Sequence, residues 1–185
     1  MEYRIETANI YDLPRILEIY ACARSFMAKT GNPAQWGTSH PPRDQLEMDI
    51  EYGRLYLVKD DSAVRGVFYF CIEEDPTYAV IHDGSWHDSK PYGVIHRIAS
   101  DGSGGILKAA VDFARSRTDY LRIDTHENNQ VMQRALRKQG FRYCGIIYIA
   151  DGSPRLAYDL NKLKTAIPMG WQFYICLYLL MRRAP

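Results

Sequence analysis

The chain has 185 residues, 46% hydrophobic and 24% charged, a composition that excludes a disordered polymer and fits one domain with a substantial core. Its 23 lysines and arginines nearly balance 22 acidic residues, leaving a formal charge of +1, so no nucleic-acid partner is expected. Cys22, Cys71, Cys144 and Cys176 are widely spaced with no CxxC pair, which predicts reduced, buried thiols in a cytoplasmic protein rather than a disulfide framework.

In chain order, "YRIETA" (3–8) alternates like a short strand. The N-terminal stretch is too polar for a signal peptide, so secretion is not expected. Asp12 is the candidate cap of a helix over about 12–29, whose Leu13, Ile16, Leu17, Tyr20 and Ala21 recur at helical spacing, with Gly31-Asn32-Pro33 ending it. A loop with "QWGTSHPP" leads to a second short helix over about 44–52. Strands follow at 54–59 and 65–73 across the "KDDSA" turn, with a further short strand over 78–82. The pattern continues as strand 92–99, helix 106–117, strand 120–126, a helix over about 129–139 ending at Gly140, and paired strands across "DGSP". This order predicts a mixed α/β fold with an antiparallel N-terminal meander and a parallel central crossover. Neither repeats nor linkers suggest a second domain.

The domain is expected to span 1–160, followed by an apolar extension over 161–185, packed or poorly ordered. Within that extension, Ile167–Met181 carries no charge over 15 residues, short of the roughly 20 that a spanning helix needs. Stable membrane anchoring is therefore not expected, and a homodimer contact is one use for such a segment.

The chemistry concentrates where "VIHRIAS" runs into "DGSGG". Gly102, Ser103, Gly104 and Gly105 precede the helix that begins at Ile106. Backbone N–H groups of such a turn and of the helix's first residues can hold a phosphate without a lysine. The pattern is neither GxGxxG nor a phosphate loop ending in Gly-Lys-Ser/Thr. Asn129 falls at the mouth of the next strand–helix crevice, where its amide could hold an amide-bearing ligand. Arg134 and Lys138, four apart on one helix face, could meet terminal phosphates or form a solvated basic face.

Over roughly residues 3–160, with "VIHRIAS", "RIDTHENN" and "MQRALRKQGF" as the matching motifs, the chain resembles the GCN5-related N-acetyltransferase superfamily. The resemblance implies a mostly antiparallel central sheet flanked by helices, with strands 92–99 and 120–126 splayed to admit acetyl-CoA as co-substrate. It implies that the amides of 102–106 receive the pyrophosphate, that backbone groups of Ile98, Ala99 and Ser100 face the pantetheine, and that Asn129 lies near the thioester end. Two departures stand out. "SDGSGG" is compressed and lacks the basic residue that commonly opens this loop, and Arg137 stands where the family often has a tyrosine acting toward the departing thiolate.

Acetyl transfer to an amine needs an unprotonated nucleophile, a polarised carbonyl and a path for the thiolate's proton. His96, His126 and Glu73 are the candidate proton carriers, with Asp124 beside the two central strands. Strict alternation puts His96 and Ile98 on one side of their strand and Arg97 and Ala99 on the other. Phe26, Trp36, Tyr69 and Asp124 are the candidate substrate contacts. The aromatics, histidines and scattered acids favour a small-molecule or amino-acid-like amine acceptor over a long basic peptide. A non-catalytic acyl-CoA-binding protein of the same fold is the alternative. His82, Asp83, His87 and Asp88 cluster locally but have no zinc-ligand spacing, so no metal is expected.

Overall fold

The computed structural model describes residues 2–161, so Cys176 and the apolar run expected to form an extension lie outside the described residues. Seven strands form one sheet: β1 (Arg4–Thr7), β2 (Leu55–Lys59), β3 (Val64–Cys71), β4 (Gly93–Ser100), β5 (Tyr120–Thr125), β6 (Arg142–Tyr148) and β7 (Pro154–Asn161). Their spatial order is β1-β2-β3-β4-β5-β7-β6, and every neighbouring pair is antiparallel except β4 with β5. The crossover between that parallel pair is α3 (Ile106–Arg115), as a parallel connection requires. The other helices are α1 (Leu13–Lys29), α2 (Arg43–Glu51) and α4 (Gln130–Lys138).

Apolar periodicity explains the layering. Ile106, Ala110, Val111 and Ala114 form the inward stripe of α3, and with Leu136 of α4 they cover Phe68, Phe70, Ile95, Leu121 and Ile123 on one face. Leu13, Ile16, Ile19 and Tyr20 of α1, with Leu46 of α2, bury against Leu55, Leu57, Val67 and Ala99 on the other. Fully burying one such Leu or Ile contributes roughly 2 kcal/mol. Gly66 of β3 lies under the start of α3. A Cβ there would come within 2.5 Å of the Ile106 side chain and 2.9 Å of the Ala99 carbonyl, so the close approach requires glycine.

The segment between β3 and β4 is not a strand. Residues 78–82, predicted as one, instead contain the end of a one-turn 3-10 helix (Pro76–Tyr78) and an isolated bridge from His82 to Ile146. Pro76 cannot donate to a ladder, and the Asp75 carboxylate caps the turn through the Thr77 N–H at 2.8 Å. Tyr78, Tyr92 and Trp86 fold over the second half of the sheet against Val94, Tyr120, Ile147 and Ala157. The Arg122 guanidinium lies 3.9 Å from the Tyr92 ring centre and 4.1 Å from that of Trp86, and it donates to the Asp88 carbonyl at 3.1 Å.

Two further expectations change. Asp12 does not cap α1 with its side chain. It closes a capping box with Asn9 around a 3-10 turn at Ile10–Asp12, one turn earlier. Of the described cysteines only Cys144 is buried; Cys71 is partly covered and Cys22 is exposed. Among the described residues no helix is long and apolar enough to cross a membrane.

Strict alternation also fails in β4. Its register with β3 shifts between Val67/Ala99 and Tyr69/His96, a bulge with Arg97 at φ 48°. Ile95 and Ile98 consequently pack into the same cluster under α3, while His96 turns to Asp75 and Arg97 to Asp49. The prediction that His96 and Ile98 share a side is therefore overturned by one extra residue in the strand.

The bulge is held from the α1–α2 layer. The Tyr20 hydroxyl donates to the Arg97 carbonyl at 2.8 Å, and the Arg97 guanidinium donates to the Asp49 carboxylate at 2.6 Å. Burial pushes the Asp49 carboxyl up, and the Arg97 charge opposes the rise. Removing one partner of a buried pair strands the other charge. Asp49→Ala is accordingly expected to lower stability by about 3 kcal/mol in urea unfolding, with Asp49→Asn costing less because its amide oxygen still accepts.

Candidate functional site

β4 and β5 pair only through Gly93 with Leu121 and Val94 with Arg122. Beyond Val94 their facing edges part, although β4 continues to Ser100 and β5 to Thr125. The cleft that opens there has a volume of about 1560 Å³. It exceeds the ~300–1,000 Å³ of a pocket for one small ligand, leaving room for two substrates side by side.

His96 is central to this cleft. Its Nε2 lies 2.7 Å from the Asp75 carboxylate and its Nδ1 lies 3.6 Å from the Asp124 carboxylate. Asp124 also accepts from the Tyr78 hydroxyl at 2.8 Å, so one imidazole is set between two acids and a buried phenol. Burial pushes the Asp75 carboxyl up, but hydrogen bonds from His96 and Thr77 outweigh it and hold the group down to about 2. Asp75 is thus ionised across the neutral range, and the proton in its bond with His96 resides on Nε2. In the neutral ring, Nδ1 is then the free acceptor.

The glycine turn supplies donors, though not all of those expected. The Gly102 N–H is taken by Ser100 Oγ at 3.1 Å and the Ser103 N–H by Asp101 Oδ1 at 3.1 Å. The amides of Gly104, Gly105, Ile106, Leu107 and Lys108 donate to no acceptor among the described residues; the first bond of α3 runs from the Ala109 N–H to the Gly105 carbonyl. Gly105 enters the helix at φ 83°, a conformation suited to glycine. Ser100, Gly102 and Ser103 line the main cleft, whereas Gly104 and Gly105 face a smaller depression beside Tyr3.

Ile98, Ala99, Asn129, Phe26, Trp36, Tyr69 and Asp124 also line the cleft. Asn129 caps α4 by accepting from the Met132 N–H at 3.1 Å, and its amide nitrogen donates to Gln35 at 3.1 Å, tying α4 to the loop after α1. Trp36 packs edge-on to Tyr20, with ring centres 5.6 Å apart, and stands 6.2 Å from His40. Arg97 lies 4.4 Å over the Tyr69 ring. Burial raises the Tyr69 phenol to about 12, so it stays protonated in neutral solution.

Other candidates are placed elsewhere. Glu73 is exposed and ion-paired with Arg54, and it does not line the cleft. His126 follows β5 and stands outside the lining, with Nδ1 accepting from the Asn128 N–H at 3.1 Å; burial, then the Arg155 charge, lower its pKa. Ile106 is buried as the first residue of α3's inward stripe. Arg134 and Lys138 are exposed on α4 with no partner among the described residues, one turn or so beyond the cleft-lining Val131 and Ala135.

Sequence reasoning missed Asp75, which lies 21 residues before its histidine, and Arg155, which lines the cleft from β7. The local His82, Asp83, His87 and Asp88 group is dispersed, with Asp88 paired to Lys90 at 3.2 Å. His87 instead meets Asp159 at 2.9 Å and Cys144 at 3.3 Å, all through the same ring nitrogen. Burial, then the Asp159 charge, push the Cys144 thiol up to about 12, which leaves it protonated and unreactive.

No family model and no curated protein matches the sequence. Solved structures do. An acetyltransferase of the GNAT family from Streptococcus agalactiae is 30% identical, with a TM-score of 0.77 over 88% of this chain and 96% of that one. A GNAT-family acetyltransferase from Listeria monocytogenes shares the fold at 18% identity, with a TM-score of 0.64 over 87% of this chain and 95% of that one. The Salmonella typhimurium protein yncA, solved with its cofactor acetyl-CoA, is 16% identical, with a TM-score of 0.57 over 90% and 97%. With the parted β4–β5 pair, the glycine-led α3 and these likenesses taken together, the chain belongs to the GNAT family of acetyltransferases.

Proposed function

We propose that the protein transfers the acetyl group of acetyl-CoA to the primary amine of a small-molecule or amino-acid-like acceptor, by direct attack while both substrates occupy the cleft. The observation that carries this reading is the His96 imidazole, held by Asp75 and facing Asp124, where β4 and β5 part. The cofactor found with the Salmonella protein of the same fold supports the choice of donor.

The pyrophosphate suits the unpartnered amides of Gly104–Lys108, where the N-terminal dipole of α3 adds positive potential. Gly102 and Ser103 join them if their bonds within the turn are exchanged for the ligand. Arg134 and Lys138 offer charge to the outer phosphates. The backbone of Ile98, Ala99 and Ser100, on the edge of β4 that β5 has left, suits the amide groups of the pantetheine, with Asn129 opposite. The same free edge can polarise the thioester carbonyl.

The acceptor amine, beside His96, gives a proton to Nδ1 as its nitrogen attacks the thioester carbon. The C–N bond forms, the C–S bond breaks, and the thiolate leaves to be protonated by water. Asp75 fixes the tautomer that leaves Nδ1 free, and it stabilises the imidazolium that forms. Trp36, Phe26 and Tyr69 wall the acceptor's side.

Free thiol released from acetyl-CoA, measured against a panel of small amines and peptides, tests the reading. Turnover of small amines is expected, and reaction with protein substrates alone would overturn it. His96→Asn should lower kcat by about 10²–10⁴-fold, the usual range for a lost general base. The deficit should shrink as pH rises and free amine becomes abundant; an undiminished kcat would remove His96 from the chemistry.

Asp75 also links the site to stability. Its carboxyl is depressed in the folded state, so its contribution is fully present above about pH 4 and disappears as pH falls toward 2. A depression of this size corresponds to about 2 kcal/mol. Asp75→Asn is expected to melt earlier at pH 7, with its gap to wild type closing below about pH 4. A gap that is independent of pH would show that the carboxylate is not ionised against His96.

A further inference from the structure

Three arginines of the described sheet are buried or nearly so, and two of them are accounted for. Arg97 is paired with Asp49, and Arg122 is enclosed by Trp86 and Tyr92. Arg155, only 7% exposed, has neither a carboxylate within ion-pair distance nor an aromatic ring against it among the described residues. Its one hydrogen bond runs from Nη1 to the Pro154 carbonyl at 2.9 Å, which leaves most of the five guanidinium donors unused. None of its nitrogens is buried without a partner, so the remaining donors open into the cleft that the residue lines.

Its position relative to His96 is set by strand register. Ala157 pairs with Asp124, and Arg155 lies two residues away on β7, hence on the same face of the sheet. At about 3.4 Å per residue and ~4.8 Å between strands, the backbones of Arg155 and Asp124 are roughly 8 Å apart. Its charge is felt on the far side of the cleft, where His40 of the Trp36 loop has its pKa lowered by burial and then by Arg97 and Arg155. His126, just after β5, is affected in the same sense. Asp151, on the same hairpin, is exposed and engaged in capping Ser153.

One end of the acceptor space therefore carries His96 with Asp75 and Asp124, and the other carries a guanidinium that has no ion pair among the described residues and whose free donors open into the cleft. We propose that the acceptor is an amine that bears a carboxylate, with the carboxylate held by Arg155 and the amine directed to His96. A free amino acid, or an amino acid with a short spacer between its two groups, has this chemistry. The site thereby selects against plain diamines and against amides of the same length. This inference rests on the acetyl-transfer reading above and adds the class of acceptor to it.

The test compares kcat/KM for amino acids of graded spacer length with that for the matching amino amides, in wild type, Arg155→Gln and Arg155→Lys. Calorimetry of acetyl-CoA binding is run on each protein. Wild type should favour the carboxylates by at least about tenfold. Arg155→Gln should abolish that preference, mainly through a rise in KM, with a loss on carboxylates of about 100-fold, and Arg155→Lys should recover part of it. Equal use of acids and amides by wild type overturns the proposal, and this arm needs no variant to fold. A preference that survives in Arg155→Gln also overturns it. If no panel member turns over, calorimetry of the same carboxylates on the acetyl-CoA-loaded wild type decides, and no binding overturns the proposal. Failure of acetyl-CoA itself to bind strikes instead at the acetyl-transfer reading.

Discussion

The site depends on the extra residue at Arg97. A β-strand ordinarily exposes alternate side chains to opposite faces and offers its edges to neighbours on both sides. The bulge breaks both rules at one point: it brings Ile98 to the face of Ile95, and it sits where β5 has ceased to pair with β4. A backbone at φ 48° in a non-glycine residue needs support. Tyr20 holds its carbonyl, Asp49 holds its guanidinium and Tyr69 lies beneath it, so α1, α2 and β3 all converge on this residue. The placement of His96 and Ile98 on opposite sides, beside the cleft, follows from this local constraint.

The polar chain from Asp75 through His96 to Asp124 and Tyr78 joins parts of the molecule that are distant in sequence. Asp75 caps and Tyr78 ends one 3-10 turn of an otherwise irregular segment, and that segment is fastened to the sheet by the aromatic cage around Arg122. The loop that carries Asp75 is therefore fixed by apolar and cation–π packing on β5 rather than by a strand ladder. Such packing can hold a carboxylate against a histidine within hydrogen-bond distance, which accounts for the irregular segment lying beside the cleft.

Most of the fold was legible because its periodicities are strong. The stripes of α1 and α3 and the alternation of β2, β3 and β7 gave boundaries within a few residues of those observed. The glycine turn and Asn129 pointed to the mouth of the parted strands. What was not legible depends on tertiary context. An interior bulge has no residue signature comparable to a glycine-led turn, so His96, Arg97 and Ile98 were given the wrong parity. Asp75 reads locally as a turn-capping residue before Pro76, which it is, and nothing in "EEDPTY" announces a histidine partner 21 residues later. Arg155 follows a turn and reads as an ordinary strand arginine; only its burial without an ion pair among the described residues makes it distinctive.

The central claim is that the parted strands hold acetyl-CoA with its reactive carbonyl beside His96. A crystal structure with a non-reactive acetyl-CoA analogue tests it most directly. The account predicts the pyrophosphate on the amides that lead into α3, the pantetheine along the free edge of β4, and the carbonyl within reach of an amine resting on His96 Nδ1. An analogue bound outside the cleft, or one whose carbonyl lies on the far side of the sheet from His96, would contradict it.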